Sequence, residues 1–460
     1  VAEAGGAALT TAGRTITISG LIVLVTLSCL AVVNSPVFRE ITVGISATVV
    51  CLLIVALTAL PALLGLLGPR VSRWSLPNWA IPADARLGSE TPRGRWSAWA
   101  RHVMARPVRY GVAAVAILAI GLIPLGSLRY GLNLGGDALA HTDSGRANTV
   151  LAQRFTPGLS GPIQVVVTVG GGAAADPGAV SRLTGRFATD NRVWAQLSQQ
   201  AEGRQALVIV PAVAPDSAAA IDLVRDLRAA GADAGGIEAS VGGPTAQFLD
   251  LVHETESKTA WVVGLVVALS LIFLGLAFRS VLLPIKAVIM NLLVTGAAVG
   301  LGIAVFQWGH GSSILHFTSV GYVQIYLPVT VFCVLFGLSM DYEVFLLGRI
   351  REEWERGDPA LPASVRNEQA VAAGIEHTAR PITAAAAIMV VILLSLLTAD
   401  VLELKQFGLA IAAAIAADAL LVRLVLVPAF MKLVGGANWW PGSRGVRAGT
   451  APAPVESMVP

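Results

Sequence analysis

Eight apolar stretches, each close to the roughly 20 residues that a helix needs to cross the hydrocarbon core of a bilayer, leave this chain little freedom in how it can fold. They lie at 16–33, 43–67, 110–125, 261–278, 283–306, 323–347, 383–398 and 409–433. Inside lipid every backbone N–H and C=O must find an internal partner, so such stretches become helices. Of the 460 residues 55% are apolar and 13% charged, where a soluble domain carries about a quarter charged residues. That excludes a water-soluble fold, and the wealth of Leu, Val and Ala excludes disorder. The fold class is therefore an α-helical polytopic membrane protein.

The order of the stretches is two, one and five, and the segments between them carry an orientation signal. The linker at 69–109 holds Arg70, Arg73, Arg86, Arg93, Arg95, Arg101, Arg106 and Arg109, whereas 307–322 holds neither Lys nor Arg. Positive charge collects on the cytoplasmic side. The linker, the loop at 348–381 and the tail at 436–460 are accordingly expected inside, with both termini cytoplasmic and the protein multi-pass in the plasma membrane. The segment 127–258 is then an extracytoplasmic domain. Its apolar runs and helical stretches read β-α-β-β-α-β, with strands at 162–169, 193–198, 205–213 and 237–241 and helices at 177–189 and 217–230. This is the split β-α-β pattern of ferredoxin-like folds, with a generic α+β module as the alternative. The expected division is 1–68 (two spans), 69–109 (linker), 110–126 (one span), 127–258 (external domain), 259–435 (five-span bundle) and 436–460 (tail).

The chain repeats itself. Thr11-Ala12-Gly13-Arg14-Thr15-Ile16-Thr17 opens the first pair of spans and His377-Thr378-Ala379-Arg380-Pro381-Ile382-Thr383 opens the last pair. Leu60-Pro61-Ala62-Leu63 closes the first and Val427-Pro428-Ala429-Phe430 the last, so that Arg14 to Pro61 and Arg380 to Pro428 are 47 and 48 residues apart. Internally repeated halves are a transporter architecture, with sites near the midplane where the repeats meet. The second copy has four further spans and a domain that the first lacks, and the chain opens on Val1; a fragment of a longer protein is expected.

Chemistry concentrates in the sixth stretch, Gly337-Leu338-Ser339-Met340-Asp341-Tyr342-Glu343-Val344-Phe345-Leu346-Leu347. A charge near the centre of a spanning helix costs about 2.5 to 3.5 kcal/mol on insertion scales. Asp341 must be protonated part of the time or paired, and either condition makes it a candidate proton carrier, the alternative being a packing Asp satisfied by a neighbouring Ser or backbone group. Gly337, four residues earlier, leaves room on the same helix face, Ser339 is a neighbouring polar group, and Tyr342 can donate a hydrogen bond to a carboxylate. Glu343 points elsewhere and is given an electrostatic role. In the last stretch Asp418 follows Ala410 and Ala414 on one face, with Arg423 beyond. It either completes a relay with Asp341 or neutralises Arg423 or Arg380. Cys29, Cys51 and Cys333 sit inside apolar runs and pair at no metal-ligand spacing. No phosphate-binding Gly-Lys-Ser/Thr loop, no Ser-His-Asp constellation and no zinc-spaced cluster is present. No cofactor, no metal, no enzymatic activity and no nucleic-acid partner are expected, and the energy source is an ion gradient.

The motif from Gly337 to Leu347 followed by Arg349-Ile350-Arg351-Glu352 resembles the C-terminal half of MmpL-type transporters of the resistance-nodulation-division (RND) superfamily. The segments around Arg14 and Pro61 resemble the last two spans of that family's N-terminal half. The resemblance implies that the eight spans correspond to the fifth through twelfth of a twelve-span protein, and that 127–258 is its second porter domain. It implies proton-driven export of lipids, glycolipids or other hydrophobic metabolites, mostly in actinobacteria. Two Asp-Tyr pairs, one per half, relay protons in such proteins; Asp341 and Tyr342 match the second pair and Asp418 an acidic position of the last span. No counterpart of the first pair exists in this chain. The partners so implied are a hydrophobic or lipid substrate, protons, membrane lipids, and a second copy or a missing N-terminal half. The rival reading is an inactive half-transporter or membrane scaffold whose external domain binds a lipid or a partner protein.

Overall fold

The computed structural model describes residues 13–67, 94–131, 142–169, 177–201, 204–233 and 237–440. Thr11, Ala12, the stretch 68–93 with four of the linker arginines, and the tail with Arg444 and Arg447 lie outside the described residues. Seven helical segments, Pro36–Leu67, Pro107–Ser127, Pro244–Phe278, Leu282–Gln307, Leu327–Arg356, Ala363–Thr398 and Leu402–Trp439, are long and apolar enough to cross a membrane, and Ile16–Val32 is a shorter apolar helix. Each of the eight stretches thus coincides with a helix over most of its length; at 323–347 the helix begins only at Leu327, and Val323–Gln324 form a short strand.

The first repeat comprises α1 (Arg14–Ser28), a 3-10 turn at Cys29–Val32, α2 (Pro36–Ile54), a π-helical turn at Val55–Ala59 and α3 (Leu60–Leu67). The end of the linker forms α4 (Arg95–Ala105), and α5 (Pro107–Leu122) starts within it. The interposed domain follows, and then the bundle: α9 (Pro244–Phe278), α10 (Leu282–Gly302), a short α11 (Ser312–Leu315), α12 (Leu327–Arg356), α13 (Ala363–Ser395), α14 (Leu402–Ala417), a π-helical segment at Asp418–Leu426 and α15 (Val427–Val434). The second copy therefore repeats helix, 3-10 turn, helix, π segment and helix. The cause of both π segments is in the sequence. A proline has no N–H and its ring crowds the carbonyl four residues earlier, and at Pro61 and Pro428 the helix widens just before the ring. Leu60 N–H donates to Val55 O and Val427 N–H to Val422 O, the i→i+5 pattern of a π turn.

The domain within 142–242 begins with α6 (Asp143–Arg154), capped by Thr142, whose Oγ1 accepts from Gly145 N at 3.2 Å. Its sheet is built from β2 (Ile163–Val169), β3 (Val193–Ala201), β4 (Arg204–Pro211) and β5 (Ile237–Gly242), with α7 (Pro177–Phe187) and α8 (Ala218–Asp233) as the connections. The strands lie in the order β3-β4-β2-β5 and every neighbouring pair is antiparallel, the arrangement of the split β-α-β pattern. Alternation decides the faces: Ile163, Val165 and Val167 are buried with Leu207 and Ile209 against Leu223, Val224 and Leu227, whereas Val166, Trp194 and Leu197 face outward.

Two joints fasten this domain to the bundle. Strand β1 (Tyr130–Gly131) pairs in parallel with β6 (Val323–Gln324). Gln307 donates from Nε2 to Ser127 O at 2.5 Å and accepts at Oε1 from Arg129 N at 2.9 Å, so one side chain satisfies both sides of the entering strand. On the return, α9 is continuous from Pro244, and the expected boundary between 258 and 259 falls inside it. Gly243 turns the chain into α9 at φ 103°, and a Cβ there would lie 2.5 Å from Pro162 O, so only glycine fits.

The bundle core combines Leu335, Met340, Leu346 and Ile350 of α12 with Val371 and Ile375 of α13 and Ala414 and Ile415 of α14. Gly296 and Gly300 of α10 mark a close helix contact. A Cβ on Gly300 would sit 1.9 Å from Gly121 O of α5, a backbone-to-backbone approach that small residues permit. Gly300→Val is expected to cost about 3 kcal/mol by overpacking; a detergent melting curve indistinguishable from wild type would contradict that contact.

Candidate functional site

Asp341 is the fifteenth of the 30 residues of α12. Its face meets α1 of the first repeat. Gly337, one turn earlier, has Val23 of α1 across from it, a Cβ there lying 3.5 Å from Val23 Cα. The room beside Asp341 is thus filled by a helix. Ser19 of the same helix hydrogen-bonds to the Asp341 side chain, and Oδ1 of Asp341 is buried with no hydrogen-bond partner. An unsatisfied carboxylate oxygen in this setting is costly, and a proton relieves the charge that makes it so.

The neighbouring residues face another way. Tyr342 does not donate to a carboxylate: its hydroxyl donates to Met389 Sδ of α13 at 3.9 Å. The Arg423 guanidinium lies over the ring at 4.6 Å from the centroid, a cation–π contact. Ser339 donates from Oγ to Asn291 Oδ1 of α10 at 2.8 Å, and its carbonyl accepts from Arg423 Nη2 at 3.5 Å.

Asp418 forms an ion pair with Arg423, both side chains 6% exposed. Of the two arginines weighed as its counter-ion, Arg423 takes the role. The pairing depends on the π segment. Five residues apart, the two side chains would stand well apart around an α-helix; at i→i+5 winding they lie over one another. Trp99 of α4 reinforces that winding by donating from Nε1 to Leu424 O at 3.0 Å, the carbonyl four residues before Pro428. In the first copy, the residues at the same distances before Pro61 are Cys51 and Ala56, so the ion pair belongs to the second copy alone. Asp418, Arg423, Ser339 and Tyr342 line a cavity of about 10 Å³, room for a single water molecule.

Glu343 is buried, and its Oε1 has no hydrogen-bond partner. It lies within electrostatic reach of Lys286 of α10, which is 3% exposed, unpartnered at Nζ and 5.4 Å from the Phe430 ring centroid. Reasoning from the sequence missed Lys286, Asn291, Ser19 and Met389. The first had a signal, a lysine four residues inside an apolar stretch in a chain with Lys only at 258, 286, 405 and 432; Asn291 had a weaker one of the same kind. Ser19 and Met389 had none. Arg423 is the hub of the arrangement, acting on Asp341, Tyr342, Glu343 and Asp418 at once.

Similarity to known proteins bears on what this arrangement belongs to. The chain is 32% identical over 461 residues to the heme uptake protein MmpL11 of Mycobacterium tuberculosis, covering 95% of this chain and 45% of that protein. It is 30% identical over 465 residues to the trehalose monomycolate exporter MmpL3 of the same species, covering 94% and 48%. It therefore spans about half the length of these relatives. Among solved structures, the translocon-associated membrane protein SecDF of Thermus thermophilus aligns with a TM-score of 0.47 at 16% identity, over 93% of this chain and 50% of that one. The MMPL family model matches residues 1–110 and 140–455, and the chain belongs to that family as a multi-pass membrane protein.

Proposed function

We propose that the complete protein is a proton-driven exporter of lipids or other hydrophobic metabolites, and that Asp341 takes up and releases the proton. The observation that carries this reading is a carboxylate at the middle of a spanning helix with one buried oxygen unsatisfied. Protonation removes the charge, frees the Ser19 contact and changes the field on Arg423; deprotonation restores both. Because α1 comes from one repeat and α12 from the other, a change of charge between them biases how the two repeats pack. Moving one charge through 100 mV supplies about 2.3 kcal/mol, so a few protons support modest accumulation of cargo. Asp418 and Arg423 act as a fixed counter-charge that holds the last span against Tyr342 of α12.

On this reading the arginine-rich segments and both termini are cytoplasmic, and the α+β domain stands outside as one porter unit, tied to the bundle by β1–β6 and by α9. Lipid cargo is supported by the relatives named as exporters of mycolic acid-containing lipids and trehalose monomycolate; a relative named for heme uptake makes inward movement the competing direction. Full-length protein in liposomes carrying an imposed pH gradient should move a fluorescent mycolate glycolipid toward the side of the α+β domain, and an uncoupler should stop it. Movement that survives the uncoupler would refute proton coupling, and movement of heme toward the arginine-rich side would reverse the direction.

A further inference from the structure

At the end of the bundle that carries the arginines, α4, the last turns of α12 and the first turns of α13 enclose a cavity of about 640 Å³, within the range of small-molecule sites. No step of the proposed transport uses it. Its charged lining is Arg101, Glu353, Arg356, Arg366 and Glu368, and Val365, Ala370 and Ala373 form an apolar wall. Both carboxylates already have cations: Glu353 pairs with Arg349 and Arg356, and Glu368 with Lys432. Arg366 forms no ion pair among the described residues, and the lining sets three arginines against these two paired glutamates. The cavity is therefore cationic.

Arg366 is also held in place. Its guanidinium lies 3.9 Å from the Trp354 ring centroid, and Trp354 stacks on Trp439 at 6.0 Å and 22°. Its stem crosses Gly357, where a Cβ would fall 2.7 Å from Arg366 Cγ. Its Nε is buried without a hydrogen-bond partner. A stacked guanidinium has lost its rotational freedom before any ligand arrives and presents a planar fork, the geometry that takes two phosphate oxygens at once. Basic pockets between spanning helices on the cytoplasmic side suit anionic head groups, and the apolar wall suits the first carbons of a glycerol backbone.

We propose that this cavity binds the phosphate of an anionic phospholipid from the cytoplasmic leaflet, held between Arg366 and Arg101. The side of the membrane rests on the orientation proposed above; the recognition of phosphate does not. The whole chain in phosphatidylcholine nanodiscs, with and without phosphatidylglycerol, should retain a phosphatidylglycerol molecule by native mass spectrometry. Arg366→Gln should weaken that retention about tenfold, the worth of one charge-assisted fork, while Arg109→Gln, an exposed arginine outside the cavity, should leave it unchanged. If Arg366→Gln fails to fold, Arg101→Gln, at an exposed side chain, carries the same expectation. Equal retention by wild type and the cavity variants would overturn the site. Displacement of the lipid by inorganic phosphate would overturn the lipid assignment in favour of a soluble phosphate ligand.

Discussion

Asp341→Asn in the full-length protein is expected to lower transport roughly a hundredfold or more, the scale of losing a positioned proton-transfer group, while leaving expression and melting temperature near those of wild type. Asparagine keeps the shape of the side chain and its contact with Ser19, and it buries no charge, so the fold has no reason to suffer. What it cannot do is bind and release a proton. Tyr342→Phe should cost far less, because the lost hydroxyl serves only a long contact with Met389 and the ring face on which Arg423 rests survives. The check is the gradient-driven liposome assay run on wild type and both variants. A wild-type rate in Asp341→Asn would end the claim that this carboxylate carries the proton, and a Tyr342→Phe defect as deep as that of Asp341→Asn would move the hydroxyl into the relay.

The second large effect belongs to the ion pair in the last span. Asp418→Leu or Arg423→Met alone should destabilise the protein by about 3 to 5 kcal/mol, because each leaves its partner charged, buried and alone. The double substitution should recover most of that loss, since two apolar side chains of similar volume fit where two charges had to be desolvated. Unfolding curves of the two single variants and the double variant give the coupling energy directly. Additive losses would mean that the two groups do not act as a pair. The same double variant separates the two roles weighed for Asp418. Stability restored without transport makes the pair part of proton movement; both restored makes it a structural counter-charge.

Much of this could be read from residues in order. Spanning helices announce themselves because lipid leaves the backbone a single solution, and all eight stretches coincide with helices over most of their length, the stretch 323–347 entering its helix only at Leu327. The repeat was legible from Arg14 and Arg380 and from Pro61 and Pro428, and the prolines explain the π segments that the sequence did not reveal. The succession of strands and helices in the α+β domain followed from breakers and alternation, whereas the helix start at Pro244 did not, because the stretch 244–258 is polar and continues the helix beyond the apolar run. At the site, Asp341, Asp418 and Arg423 stood out as charges in apolar surroundings. Arg423 was one of two candidate partners for Asp418, but the partners of Asp341 and Tyr342 were not legible. Tyr342 beside Asp341 in sequence points about 100° away from it around the helix, which is why it meets α13 and Met389 while Asp341 meets α1 and Ser19. Contacts between helices distant in sequence are set by packing, and no spacing rule along one strand of text encodes them.

The widened turn before Pro428 makes the last span a geared shaft. Wound at i→i+5, it holds Asp418 and Arg423 in phase; wound as an ordinary α-helix, the two would stand about 140° apart around the axis. Taking up the surplus residue would also swing α15, with Lys432 and its hold on Glu368, by about 100° relative to α14. The electrical state of the buried pair and the rotational phase of the helix end are thus two readings of a single degree of freedom, with the indole of Trp99 resting on the tooth where they mesh.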